Sequence, residues 1–361
     1  MYDPDSKALR SLLAIALSLA IAGMLGMLLV VGKSFLLPIL VAVISVYVLV
    51  EASDAIGRLP GGRFLPEWLR RVVVLALFLL AVFMIGGVMI STAGQISARL
   101  PSYQHNVAGV LARLLTVIGA DHLDWQAVWH EATSTISLER FVRGALGSIS
   151  TAAGLIFLVL LYAVFMMAER KGFAHKIAVA LPSDKGAQAA EIISRINTSI
   201  GGYLAVKTLV NVVLGVISYA VMWAFGVDFA LFWAVLIALL NYIPYVGSIL
   251  GVLFPLTLSM AQFGSLQATV GITVLLTAAQ VGVGSFLEPR IVGRKMNMSP
   301  FVVLVALALW STLWGIPGAI LAIPLTSIIA IILSSFGPTR LFAVLLAGDV
   351  AAYEGVDEAR P

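Results

Sequence analysis

The sequence predicts an all-α polytopic membrane protein. About six full transmembrane helices are joined by two Gly/Pro-broken segments, which are either re-entrant hairpins or kinked spans; the second option gives eight transmembrane helices. Amphipathic surface helices lie between the third and fourth spans. Two observations carry this reading. Of 361 residues, 61% are hydrophobic and only 11% charged, whereas an ordinary soluble domain is roughly a quarter charged. Apolar stretches near the roughly 20 residues that cross a bilayer also recur along the whole chain.

The first stretch, residues 12–31, follows Lys7 and Arg10. It runs into Gly32-Lys33-Ser34 with no Ala-x-Ala site, so it is an uncleaved first helix rather than a signal peptide. Gly32-Lys33-Ser34 ends like a phosphate loop, but that motif needs Gly where Met27 stands. It is a tight turn into the second helix, 35–50. The loop 52–71 carries Arg58, Arg63, Arg70 and Arg71, and the loop 169–203 carries Arg170, Lys171, Lys176, Lys185 and Arg195. By the positive-inside rule both are cytoplasmic, as is the N-terminus, with the third helix (72–91) and the fourth (148–168) between them. The N-terminal transmembrane region is therefore 1–91.

Residues 92–147 then form an extracytoplasmic amphipathic segment. Val107, Val110, Leu111, Leu114, Leu115 and Ile118 recur at helical spacing, and Trp125 and Trp129 follow at i, i+4. His105, His122 and His130 lack the i, i+4 spacing of a helical metal site, so no metal is expected. Residues 148–203 hold the fourth helix and a cytoplasmic helical loop, 204–337 a transport core, and 338–361 a cytoplasmic C-terminal tail.

The core contains intact stretches at 204–225 and 266–286 and two longer stretches, 229–260 and 301–336, interrupted by Pro and Gly. The interrupted pair resemble each other. Gly247-Ser248-Ile249-Leu250-Gly251 precedes Pro255-Leu256-Thr257, and Gly318-Ala319-Ile320-Leu321-Ala322 precedes Pro324-Leu325-Thr326. The offset of about 70 residues makes each unit one intact helix followed by one broken helix, the pattern that points to a transporter binding site. A break frees backbone groups that lipid cannot satisfy, so such backbone survives only when buried in protein or lining a cavity. Residues 229–241 cover only about 20 Å of helix, too short to cross. A hairpin over 229–261 would place the loop 287–299 (Arg290, Arg294, Lys295) in the cytoplasm; a single span would place it outside.

Few polar groups stand near the breaks. Asn241 is the strongly polar side chain of the first, able to cap freed backbone or touch a solute, with Tyr242, Pro244, Tyr245 and Gly247 around it. Tyr242 and Tyr245 are interfacial anchors or cavity lining. Asn211 and Gln280 lie within intact helices, where amides bond neighbouring helices. Lys207 starts the fifth helix and can snorkel to the interface. Asp228 sits in a short connection suited to N-cap duty. Glu288 is a candidate proton or cation carrier, or the salt-bridge partner of Arg290 or Arg294. At the second break Ser311 and Thr312, flanked by Trp310 and Trp314, precede Gly315, Pro317 and Gly318.

These motifs resemble the autoinducer-2 exporter family of bacterial membrane transporters. The residues that carry the resemblance are Asn241-Tyr242-Ile243-Pro244-Tyr245-Val246-Gly247, Glu288-Pro289-Arg290-Ile291-Val292-Gly293, Ser299-Pro300, and Gly315-Ile316-Pro317-Gly318 through Pro324-Leu325. The chain departs from the family at the fifth helix, where relatives often carry Tyr-Leu-x-Gly-Gln and this sequence reads Tyr203-Leu204-Ala205-Val206-Lys207. The resemblance implies a bacterial inner-membrane protein, homo-oligomeric and pentameric, that exports small molecules, and it links members to autoinducer-2 and to sodium/proton exchange.

Composition narrows the function further. Lys+Arg number 22 and Asp+Glu 18, a net charge of +4, too little for a nucleic-acid surface. Cysteine is absent, which removes thiol nucleophiles and cysteine metal sites. No His-Glu-x-x-His or serine–histidine constellation points to an enzyme, and no cofactor is expected. The expected function is a secondary transporter exporting a small polar molecule by alternating access, with a proton or sodium gradient as a possible drive. The alternatives are an oligomeric channel and a sodium/proton antiporter. The expected partners are the lipid bilayer, a small-molecule or ion substrate, and further copies of the chain.

Overall fold

A computed structural model describes residues 4–118, 154–169, 172, 176, 179–292 and 297–350. Every long element among them is helical. In chain order these are α1 (Pro4–Val31), α2 (Lys33–Arg58), α3 (Glu67–Ile118), α4 (Gly154–Glu169), α5 (Ser183–Ala224), α6 (Ala230–Leu240), α7 (Val246–Phe263), α8 (Leu266–Val281), α9 (Glu288–Val292), α10 (Pro300–Ser334) and α11 (Arg340–Leu346). Among the described residues six helical stretches are long and apolar enough to cross a membrane: Lys33–Arg58, Glu67–Thr92, Lys185–Ala224, Val246–Phe263, Leu266–Ile291 and Ile316–Ser334.

The sequence places a boundary at residue 92, where hydropathy falls. The backbone has none there: α3 runs unbroken for 52 residues, about 78 Å at 1.5 Å per residue. Falling hydropathy marks where a helix leaves lipid, not where it stops, so residues 92–118 prolong the third helix beyond its candidate span, Glu67–Thr92. Trp125, Trp129, His122 and His130 lie outside the described residues, as do Arg294 and Lys295.

The chain divides into two units. One takes Met1–Val46, Phe157–Ile196 and Asn297–Pro361; the other takes Tyr47–Ile156 and Asn197–Met296.

In the first unit α10 begins at Ser299, whose hydroxyl accepts from the Val302 N–H at 3.2 Å with Pro300 next in line, a well-made N-terminus. At Gly315 the backbone leaves the helix (φ 67°, ψ −143°). The Trp310 indole then donates to Thr326 Oγ1 at 3.1 Å. In a continuous helix those residues would stand about 24 Å apart along the axis, so the chain has reversed and the arms Pro300–Trp314 and Ile316–Ser334 fold back on each other. Trp314 also donates to the Leu29 carbonyl at 3.0 Å, at the end of α1, where helix carbonyls run out of intrahelical partners.

The core of the second unit is apolar and gathers Tyr103, Val210, Leu214, Met222, Ile237, Leu258, Ile272 and Leu276 from α3, α5, α6, α7 and α8. Here too a broken segment is a hairpin. A Cβ on Gly251 would lie 3.5 Å from Ile237 Cγ2, and the rings of Trp233 and Phe254 are 6.1 Å apart. Both pairs are centred on residues 243–244. The connection turns through Tyr245, which holds φ 61°. Both hairpins thus turn through one residue with positive φ, Tyr245 in the first and Gly315 in the second.

Candidate functional site

The second unit carries a chain of buried polar groups around the tip of its hairpin. Asn241 ends α6 and is 6% exposed. Its Nδ2 donates to Asn211 Oδ1 at 2.8 Å, and its Oδ1 accepts from Gln280 Nε2 at 2.8 Å. One amide therefore joins α5, the hairpin tip and α8. Next to it Tyr242 and Thr208 share a 2.7 Å hydrogen bond. Thr208 also bonds the Leu204 carbonyl at 2.7 Å, which uses its single proton, so the Tyr242 hydroxyl is the donor in the pair. Asn211 Nδ2 is buried and has no hydrogen-bond partner among the described residues.

One turn before Asn211 on α5 stands Lys207, 5% exposed. Its ammonium lies 2.7 Å from Glu288 Oε1 and 2.8 Å from Oε2. Glu288 opens α9 just after a π-helical turn over Gly282–Leu287. A π-turn inserts a residue and rotates the side chains beyond it, and the acid beyond this one meets α5. The sequence offers Arg290 or Arg294 as its partner; the structure gives it Lys207. Residues at i and i+2 face opposite sides of a helix, which takes Arg290 away from Glu288. Arg290 is exposed.

Beside this cluster a groove of about 450 Å³ runs between α7 and α8, lined by Ser248, Val252, Leu256, Thr273, Thr277 and Gln280 among others. Its size falls in the range of small-molecule sites. Gln280 thus belongs both to the amide chain and to an open, mostly apolar groove.

A second polar group ties α3 to the two ends of this hairpin. Asp228 Oδ2 accepts from Tyr103 Oη at 2.8 Å and from Arg99 Nη1 at 3.0 Å. Gln262 accepts from the Asp228 N–H and donates to the Gly226 carbonyl, both at 2.7 Å. Asn106 donates to the carbonyls of Ala261 and Gln262 at 3.0 and 2.8 Å. Burial and then the bond to Asp228 hold the Tyr103 phenol well above its usual pKa. The N-cap role expected for Asp228 is not what it does. Phe229 (φ 57°) occupies that position with no side-chain cap, and the Asp228 carboxylate reaches α3 instead.

At the second break Gly318 packs so closely that a Cβ would lie 1.9 Å from the Trp310 carbonyl. Pro317 falls in the first turn after Gly315, where a missing N–H leaves no intrahelical bond unmade. Ser311 and Thr312 both bond back to the Ala308 carbonyl, at 3.1 and 2.7 Å, on exposed helix surface. Their hydroxyls are occupied within their own helix and join no cluster.

Of the residues singled out in the sequence, Asn241, Tyr242, Gln280 and Glu288 come together around one hairpin tip. Pro244 and Gly247 shape that tip. Gly315, Pro317 and Gly318 shape the other. Sequence reasoning left Lys207 and Asn211 in minor roles and passed over Thr208. The signal that finds them is their spacing: Lys207 and Asn211 stand at i, i+4 in an otherwise apolar helix and so share one face.

A family model described as AI-2E family transporter matches residues 12–336. The chain is 29% identical to the AI-2 transport protein TqsA of Escherichia coli (strain K12), over 91% of this chain and 96% of that one. It is 28% identical to a Haemophilus influenzae protein named "Putative transport protein", over 86% and 90% of the two chains. It is 30% identical to a Borreliella burgdorferi protein of the same name, over 69% and 68%.

Proposed function

The chain belongs to the AI-2E transporter family, and from that premise we propose that it is a secondary carrier exporting a small polar, autoinducer-2-like molecule across the bacterial inner membrane by alternating access. The solute-contact site is the polar cluster of Asn211, Asn241, Gln280, Tyr242 and Thr208, with the groove beside Gln280 as its approach. The observation that carries this reading is the buried amide chain itself. Polar side chains at membrane depth are costly and mark pathways by default, and here one buried donor, Asn211 Nδ2, has no hydrogen-bond partner among the described residues. A carbonyl or hydroxyl oxygen of a solute supplies one. The relative named for AI-2 transport supports the choice of that molecule as probe. In this arrangement both chain termini and the Arg-rich connection after α2 face the cytoplasm, the hairpins are re-entrant, and the protein works as a homo-oligomer.

The test is counterflow of autoinducer-2 in proteoliposomes. Wild type should show saturable exchange, and Asn241→Ala and Glu288→Gln should each lower its rate by about tenfold, the effect of losing about 1.4 kcal/mol of solute contact or site geometry. Undiminished saturable exchange in both variants would remove the cluster from the pathway. Flux without saturation or counterflow would make the protein a channel.

A further inference from the structure

We propose that the ammonium of Lys207 is a tethered cation that fills the cation-binding position of Glu288, so that this carrier binds no sodium at that acid. The inference deepens the carrier reading and takes its meaning from it, but its test needs no solute.

The argument begins with what a carboxylate must offer a free cation. A hard monovalent ion binds through oxygen lone pairs, and a carboxylate offers it one or both oxygens together with an uncompensated negative charge. Between residues 208 and 336 the only acids in the sequence are Asp228 and Glu288. Asp228 is taken by Arg99 and Tyr103 at the far end of the hairpin. Of these two, Glu288 is the one beside the amide cluster, and its two oxygens accept from one ammonium at 2.7 and 2.8 Å, which compensates its charge. The neighbouring polar groups are neutral: Tyr203, Tyr242, Thr208 and Asn211.

Displacement by an outside ion is strongly opposed. The Lys207 side chain is 6% exposed and that of Glu288 25%, so a sodium ion seated on the acid would strand a buried ammonium with no partner. Breaking a buried pair in this way is far more costly than exchanging one hydrated ion for another. The lysine is also covalently attached, so it competes for the acid as an intramolecular partner. The consequence for specificity is direct. Lysine and glutamate cancel, the site as a whole is uncharged, and its remaining contacts are amides and hydroxyls. It therefore selects a neutral polar solute and moves it without a sodium ion on Glu288.

Binding of radiolabelled sodium to the purified full-length protein in lipid nanodiscs tests this. The measurement is made at about pH 9, well above the range in which carboxyl groups ordinarily titrate. Wild type and Lys207→Arg, which keeps the cation, should bind sodium at background level. Lys207→Gln should bind at least about tenfold more, because an uncompensated buried carboxylate attracts the ion. Lys207→Gln combined with Glu288→Gln should return to background. Sodium binding by wild type that is lost in Glu288→Gln overturns the inference without any need for the lysine variants to fold. Background binding by a monodisperse, folded Lys207→Gln protein overturns it equally. Either result leaves the carrier reading intact, whereas that reading falls only on loss of saturable counterflow or on its indifference to Asn241→Ala and Glu288→Gln.

Discussion

Replacing Gly247 by alanine should damage the first hairpin more than any comparably small change nearby. A Cβ at this position would lie 1.9 Å from the Leu240 carbonyl oxygen, 2.5 Å from its carbon and 2.9 Å from Asn241 Cα. Unstrained heavy-atom contacts begin near about 3.5 Å, so the oxygen overlaps by about 1.6 Å, and every clashing atom is backbone. The Leu240 carbonyl cannot simply swing aside, because it accepts the Ile243 N–H at 2.8 Å inside the turn. Overpacking costs about 1–3 kcal/mol, and the lost turn bond adds about 1 kcal/mol, for a total of about 2–4 kcal/mol. Gly251→Ala is the control: its Cβ would meet Ile237 Cγ2 at 3.5 Å, an ordinary contact, and it gains the better helix former. Thermal inactivation of the purified protein in detergent should show a clear fall in midpoint for Gly247→Ala and no fall for Gly251→Ala. Because Asn241 adjoins the clash, Gly247→Ala should also lower counterflow. Equal midpoints for the two variants would mean that the turn yields freely, and would refute a rigid hairpin tip.

Two further outcomes follow from contacts elsewhere. Asp228→Ala should release α3 from the hairpin and raise protease cleavage over 92–106, with Tyr103→Phe costing about 1 kcal/mol of stability. Arg99 is 60% exposed, so Arg99→Ala should cost under about 1 kcal/mol; a loss equal to that of Asp228→Ala would contradict this. In the other unit, Trp310→Phe and Thr326→Val each break the same buried hydrogen bond. A double-mutant cycle should return a coupling of about 0.5–1.5 kcal/mol, and additive effects would show that the second hairpin does not depend on that bond.

The parts of this fold that were legible in the sequence are those set by local chemistry. Helical spans follow from runs of apolar residues, and glycine and proline spacing marks both breaks while leaving hairpin or kink open: Gly247 and Gly318 stand where backbone passes too close for any side chain. What was not legible depended on tertiary placement. The partner of Glu288 lies 81 positions away, and a π-turn that no composition signal announces sets the face on which the acid emerges. The same applies to Asp228, whose neighbours in sequence suggest a helix cap and whose neighbours in space are Arg99 and Tyr103. Serine and threonine at the second break illustrate the opposite error. Ser311 and Thr312 look polar in sequence, yet each spends its proton on the Ala308 carbonyl one turn back, a local bond always within reach of such residues in a helix.

The source of the site's polarity also differs from what a broken membrane helix suggests. Breaking a helix frees N–H and C=O groups, and those groups are the expected ligands for an ion or solute. At the tip of the first hairpin they are largely consumed. Tyr242 N–H bonds the Leu239 carbonyl at 3.3 Å, Ile243 N–H the Leu240 carbonyl at 2.8 Å, and Gly247 N–H the Ile243 carbonyl at 2.9 Å. The turn satisfies itself, as a backbone buried away from water must. In the proposed site the groups that meet a solute are side-chain amides held in place from three elements, Asn211 on α5, Asn241 at the tip and Gln280 on α8. The hairpin's contribution is then positional: it places Asn241 between two helices that could not otherwise share a hydrogen-bonded link. On the proposed reading, recognition by amides anchored on packed helices favours a solute with its own donors and acceptors over a bare ion.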